Sequence, residues 1–160
     1  MPKGYGIAET TDGLLPWDWA VDQLQRSRNY WVCTTRADGL PHAMPVWGVW
    51  LDGALYFSTD RASAKGRNIE RDPRVVVHLE SGDEAVILEG TLEETADRAL
   101  LARVIDAYAP KYNFRPEAES GDDGEGGSRD DSAVWYALRP RVVLGWTEKD
   151  FPNTATRWVM

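Results

Sequence analysis

The stretch from Tyr30 to Asn68 limits the fold more than any other part of this chain. Three runs rich in β-branched and aromatic residues are separated there by Ala37-Asp38-Gly39 and by Asp52-Gly53, the latter a two-residue hairpin turn of the kind that favours positive φ. Strands are expected over Tyr30–Thr35, His42–Trp50 and Ala54–Ser58. Pro45 interrupts the second early, which suits an edge strand. The third strand runs into a hydroxyl-rich and basic segment, Ser58 to Asn68, where a phosphate-sized anion could sit beside an aromatic wall.

The flanking sequence extends this pattern. Trp17, Ala20, Val21 and Leu24 recur at i, i+3, i+4 and i+7 after Pro16, so a short amphipathic helix opens the fold. Residues 62–71 have helical spacing and stop at Asp72-Pro73, because the residue before proline is pushed out of the α region. Strands follow over Arg74–Glu80 and Ala85–Thr91. Leu100, Leu101, Val104, Ile105 and Tyr108 form the buried stripe of a helix over Asp97–Tyr112. Val134–Leu138 and Val142–Trp146 close the sheet as two further strands. Hairpin connections without βα alternation exclude a doubly wound parallel sheet. The expected fold is mainly β, a six- to seven-stranded antiparallel barrel with flanking helices.

At 160 residues and 42% hydrophobic, the chain reads as a single domain over 1–160 with one core. Of its net charge of −8, the run from Glu117 to Asp131 carries −6. That run lacks aromatic and β-branched residues, so a mobile acidic surface loop is expected at 117–131. The remaining body is nearly neutral, without the basic footprint of a nucleic-acid binder. No apolar run approaches a membrane span and no signal-peptide pattern opens the chain, so a soluble cytoplasmic protein is expected. Cys33 is the only cysteine, which excludes an internal disulfide. Eight tryptophans exceed what one small core comfortably buries, and a homodimer is expected.

Motifs for several chemistries are missing. The chain has no GxGxxG, no GxxxxGK[ST] and no GxSxG segment. His42 and His78 lack zinc-ligand spacing, so no metal site is expected. What remains is the segment after the third strand. A strand end entering a helix start offers free N–H groups and the positive end of the dipole. Thr59 and Ser63 can donate hydroxyls there, and Lys65 can add a point charge. From Asp60 to Arg74 five basic residues stand against three acids, the only net-basic patch of any length.

The ordered series Asn29-Tyr30-Trp31, Asp38 to His42, Pro45 to Trp50, Leu55 to Thr59, Lys65 to Asn68, Asp72-Pro73-Arg74, Glu89-Gly90-Thr91, Lys111-Tyr112 and Ala155 to Trp158 resembles the flavin-binding split-barrel family. This is the pyridoxamine 5′-phosphate oxidase-like superfamily, and within it the branch of flavin- and deazaflavin-dependent oxidoreductases. The resemblance implies a dimeric split β-barrel with two cofactor sites in grooves between subunits. It implies that the backbone at Pro45, Val46 and Trp47 lies along the cofactor ring, that Ser58 and Thr59 border the ribityl chain and phosphate, and that Lys65 holds the phosphate. Asn68 would fix the loop by hydrogen bonds, and Arg157 and Trp158 would close over the ring from the partner subunit.

Relatives that bind flavin mononucleotide (FMN) often carry a second basic residue where this chain has Ala64. That difference favours coenzyme F-420, a deazaflavin, over FMN. The implied activity is hydride transfer from the reduced cofactor to a small unsaturated organic substrate. An FMN-dependent oxidoreductase and a non-catalytic flavin, deazaflavin or haem binder are the alternatives. The catalytic residues stay open. Tyr56, Tyr136 and Arg157 are the available proton donors, with water equally plausible.

Overall fold

The structure is a computed structural model that describes residues 6–7, 9–116 and 133–160. The expected acidic loop at 117–131 lies outside these residues. In chain order the elements are α1 (Trp17–Arg26), β1 (Tyr30–Thr35), β2 (Pro41–Val46), β3 (Val49–Leu51), β4 (Ala54–Asp60), α2 (Ala64–Arg71), β5 (Arg74–His78), β6 (Glu84–Glu94), α3 (Arg98–Tyr112), β7 (Ala133–Thr147), a 3-10 turn (Glu148–Asp150), α4 (Phe151–Thr154) and β8 (Thr156–Val159).

All strand pairs are antiparallel, and the sheet runs β2-β1-β5-β6-β7-β4-β3, with β8 pairing β7. Its two edges, β2 and β3, are consecutive in the chain and only Trp47 and Gly48 separate them. A sheet whose first and last strands are joined by two residues must curl until those edges meet, which makes a half-barrel closed at one corner. The fold is therefore mainly antiparallel β with flanking helices, as the sequence implies.

The corner corrects one expectation. His42–Trp50 is not one strand broken at Pro45, because the chain leaves β1 after Val46 and joins β4 from Val49. Gly48 makes the exchange possible: a Cβ there would stand 2.9 Å from the Tyr56 carbonyl and 3.2 Å from Leu55 Cδ1. Pro45 instead lies within β2, opposite Trp31, where an edge strand tolerates its missing N–H.

A second correction concerns the end of the sheet. The two strands expected around Arg139-Pro140-Arg141 are one fifteen-residue strand, β7. The ladder to β6 shifts register between Glu89 and Gly90, so that Pro140 and Val142 oppose neighbouring residues. A bulge absorbs the proline without ending the strand. Sequence reading also missed β8, giving eight strands among the described residues against the six or seven expected.

Two apolar clusters lie on opposite faces of the sheet. The inner one gathers Leu24, Tyr30, Val32, Leu55, Phe57, Val77, Leu88 and Leu138 beneath α1, with Trp17 and Trp158 packed at its rim. The other places Tyr56, Trp135 and Ala137 under the Val104–Tyr108–Tyr112 stripe of α3.

Candidate functional site

Where β4 runs out, a compact turn sets the start of α2. Asp60 Oδ1 accepts from Ala62 N at 2.6 Å, and the Asp60 carbonyl accepts from Ser63 N at 3.1 Å. Ser63 then caps the helix: its Oγ accepts from Gly66 N at 2.9 Å and donates to the Asp60 carbonyl at 2.7 Å. The turn explains why α2 starts at Ala64 and not at 62. Gly66 lets the helix press onto the turn, since a Cβ there would stand 2.7 Å from the Arg61 carbonyl.

Among the described residues, the N–H groups of Ala64 and Lys65 have no hydrogen-bond partner, as the first donors of a helix do not. Lys65 follows on the same turn. It is half-buried, burial pushes its ammonium pKa down, and no described carboxylate pairs with it. The neighbouring cations are committed: Arg61 to Glu94 at 2.8 Å, Arg67 to the Ala62 carbonyl and Arg71 to the Thr35 carbonyl. Two N–H donors and one cation without partners among the described residues, at a helix N-terminus, suit a single phosphate-like anion.

The structure brings Thr59, Ser63 and Lys65 together, with Thr59 Oγ1 3.4 Å from Ser63 Oγ. It separates Ser58 from them, because alternate residues of β4 face opposite sides and Ser58 shares the face of Tyr56 and Ala54. Asn68 is buried, and its Nδ2 donates to Thr34 Oγ1 at 3.0 Å. It ties α2 to β1, on the far side of the sheet's gap from β4. The helix therefore bridges the split in the half-barrel.

That split is bordered by backbone. Among the described residues β2 pairs only with β1, and β4 beyond Tyr56 pairs only with β7. Each strand presents one row of N–H and C=O groups to the opening, as any sheet edge does. Val46 is buried, Pro45 is exposed, and Trp47 is 39% exposed at the closed corner.

At that corner a cluster supplies the aromatic wall. The Trp47 ring stacks on Tyr112, and the Arg28 guanidinium lies 5.4 Å from the centre of the one ring and 5.6 Å from that of the other. Lys111 Nζ donates to Tyr30 Oη at 2.8 Å and to the Gly48 carbonyl at 3.0 Å. Burial pushes the Lys111 ammonium down to about 8 and the Tyr112 phenol up to about 12. Sequence reading gave Arg28, Lys111 and Tyr112 no role at the site; their one signal was Lys111-Tyr112 among the family motifs.

Arg157 and Trp158 lie on β8. Trp158 packs edge-on to Trp17 at 5.6 Å, while Arg157 is exposed opposite Leu144. β4 meets β7 at Val134 near Thr59, ten residues along from Leu144, on the order of 30 Å at strand rise. Arg157 cannot reach the Lys65 turn of its own chain. Of the candidate proton donors, Tyr56 and Tyr136 are buried in the two cores, so neither opens onto the split.

Among the described residues no three or more His, Cys, Asp or Glu side chains are grouped to hold a metal ion, and no helix is long and apolar enough to cross a membrane.

A family model described as pyridoxamine 5′-phosphate oxidase matches residues 18–147. No curated protein matches the chain. Among solved structures, the conserved hypothetical protein Rv2991 from Mycobacterium tuberculosis is similar at 23% identity with a TM-score of 0.69, over 89% of this chain and 91% of that one. An F-420 reductase is similar at 21% identity and a TM-score of 0.54, over 89% and 98% of the two chains. A heme binding protein from Mycobacterium smegmatis is similar at 18% identity and 0.66, over 91% of this chain and 59% of that one.

Proposed function

The chain belongs to the pyridoxamine 5′-phosphate oxidase family, and from that premise we propose that it is a coenzyme F-420-dependent oxidoreductase acting on a small unsaturated organic substrate. The observation that carries this reading is Lys65: a half-buried cation that, among the described residues, has no carboxylate partner and stands beside two unpartnered helix N–H groups at the end of an open sheet edge. Such a cradle suits the phosphate of a flavin-type cofactor, and the edge backbone at Pro45–Trp47 offers hydrogen bonds along its ring.

Each residue then has a defined task. Lys65 and the Ala64 and Lys65 amides hold the phosphate, Thr59 and the Ser63 cap shape the turn beneath it, and Ser58 borders the ribityl chain from the other face of β4. Asn68 fixes α2 on β1. The bound deazaflavin supplies the hydride chemistry, which the protein orients and shields from water. Ala64 removes the second cation expected of an FMN site, which favours the deazaflavin. FMN itself is the alternative cofactor.

A second copy completes the site in this reading. Cross-strand pairing aligns Pro45, Trp31, His78, Ile87, Leu144 and Arg157 in one row on the face of the sheet that α3 leaves uncovered. A two-fold axis through the middle of that row brings Arg157 of one copy to Pro45 of the other. Arg157 and Trp158 would thus reach the ring of the partner's site, and the homodimer carries two sites.

The buried positions of Tyr56 and Tyr136 favour one further reading, a binder without turnover, because they remove both candidate tyrosine acids from the split. Titration of the protein with F-420 and with FMN, followed by incubation of the reduced complex with enones and quinones, tests all three. Tight F-420 binding with substrate-dependent reoxidation is expected. Tight binding without reoxidation across the panel supports the carrier, a yellow FMN-bound protein supports the flavin enzyme, and binding of neither cofactor overturns the proposal.

A further inference from the structure

The chain's change of partner between β2 and β3 leaves the Gly48 peptide between two ladders. Its N–H and C=O need partners from elsewhere, because a buried backbone group without one is costly. Both partners come from the last turn of α3. Tyr112 Oη accepts from Gly48 N at 2.9 Å, and its own proton is shared between the Arg28 carbonyl at 2.6 Å and the Gly48 carbonyl at 2.8 Å. Lys111 adds its bond to the same Gly48 carbonyl.

Tyr112 alone already reaches both Gly48 groups, so satisfying the backbone does not call for a second, cationic donor. Lys111 is nevertheless held half-buried against the Tyr30 ring at 4.8 Å and the Tyr112 ring at 5.4 Å, and the desolvation is costly enough to depress its pKa. What the cation adds is a fixed peptide plane, directly after the three residues whose backbone faces the cofactor ring.

We propose that Lys111 and Tyr112 are positioning residues, which lock the Gly48 peptide and thereby aim the Pro45–Trp47 backbone and the Trp47 ring at the ring half of the cofactor. This inference rests on the cofactor reading above and deepens it. Lys65 sets affinity for the phosphate end and α3 sets affinity for the ring end, two contributions that act independently.

Comparing each cofactor with its phosphate-free form separates the two ends. Binding of FMN and riboflavin, and of F-420 and its dephosphorylated deazaflavin core, is followed by cofactor fluorescence in wild type, Lys111→Met, Lys111→Arg, Tyr112→Phe and Lys65→Ala. Lys111→Met keeps the apolar stem against the rings, so it removes the donor with little loss of packing. It should weaken both members of a pair by about tenfold, the loss of one charged hydrogen bond. Their ratio should stay unchanged, and Lys111→Arg should recover most of the loss. Lys65→Ala should collapse the ratio.

Wild-type affinity in Lys111→Met for both members overturns the positioning role, as does a loss confined to the phosphorylated member. Should Lys111→Met fail to fold, Tyr112→Phe carries the same comparison with the same expected equal loss. A wild type that binds no member of either pair overturns the proposed function itself, and the positioning role with it.

Discussion

The Trp47 and Tyr112 rings lie 4.7 Å apart and 11° from parallel, joining the corner of the sheet to the last turn of α3. With the hydrogen bonds of Tyr112 and Lys111 to Gly48, this stack is how α3 grips the sheet's two edges where they meet. The corner depends on close approach: Gly48→Ala would force a Cβ against the Tyr56 carbonyl, which is backbone and cannot rotate away. Overpacking of this kind costs about 1–3 kcal/mol. Urea denaturation should show that loss, and an unchanged midpoint would refute the account of the corner.

Lys65→Ala should lower cofactor affinity by about 1.5–3 kcal/mol, as for a charged hydrogen bond. Thermal stability should not fall with it, because Lys65 has no described carboxylate to lose. Parallel fluorescence titration and melting curves distinguish these effects; a variant that loses stability but not affinity would assign the lysine to the fold.

Two tyrosines should respond oppositely to the same substitution. Tyr56 is fully buried and its hydroxyl has no hydrogen-bond partner among the described residues, so Tyr56→Phe removes only a desolvated polar group. It should leave stability unchanged or raise it by about 1 kcal/mol. Tyr112→Phe strips partners from Gly48 and should destabilise by about 1–3 kcal/mol. Equal melting shifts for the two variants would contradict the hydrogen-bond assignment.

Alkaline pH should stabilise the fold before it harms it. The folded Lys111 pKa of about 8 lies below the ordinary value of 10.5. Between these values the unfolded chain binds the extra proton, so stability rises with pH. Lys65 is shifted in the same direction. Tyr112 is shifted up to about 12 from 10, and Tyr30 upward as well, so their unfolded forms release protons first and stability falls above pH 10. Urea midpoints should climb from pH 8 to pH 10, and Lys111→Met should flatten the climb. A wild-type curve flat across that range would count against the burial of Lys111.

The uncovered sheet face should hold a second copy. Val76 is 38% exposed there, opposite Cys33 and Glu89. Val76→Arg should convert a dimer to a monomer in sedimentation and abolish cofactor binding, although it touches no residue of the Lys65 turn. A monomeric wild type, or a monomeric variant that still binds cofactor, would remove the partner's Arg157 from the site.

Local chemistry made much of this legible in the sequence. Asp52-Gly53 and Ala37-Asp38-Gly39 announce their turns, and the apolar spacing of α3 announces which side it buries. The Lys65 turn was visible because its donors sit within seven residues, Thr59 to Lys65. The corner was not, because exchanging β1 for β4 at Gly48 depends on pairings between distant segments, and glycine within a strand signals a close approach without saying to what. Pro140 looked like a strand end because nothing local reveals a bulge. Helical periodicity likewise shows Tyr112 facing the sheet without showing that its hydroxyl serves a backbone 64 residues away.

β7 is shared by three neighbours. It hydrogen-bonds to β6 along nearly all of its length on one side, and to β4 and then β8 on the other. Residues 136–138 and 142–145 are paired on both sides, so fraying of one neighbour leaves the other to hold that part of the strand in the sheet. Deuterium should enter this strand last, and its exchange rate reports the free energy of the whole molecule.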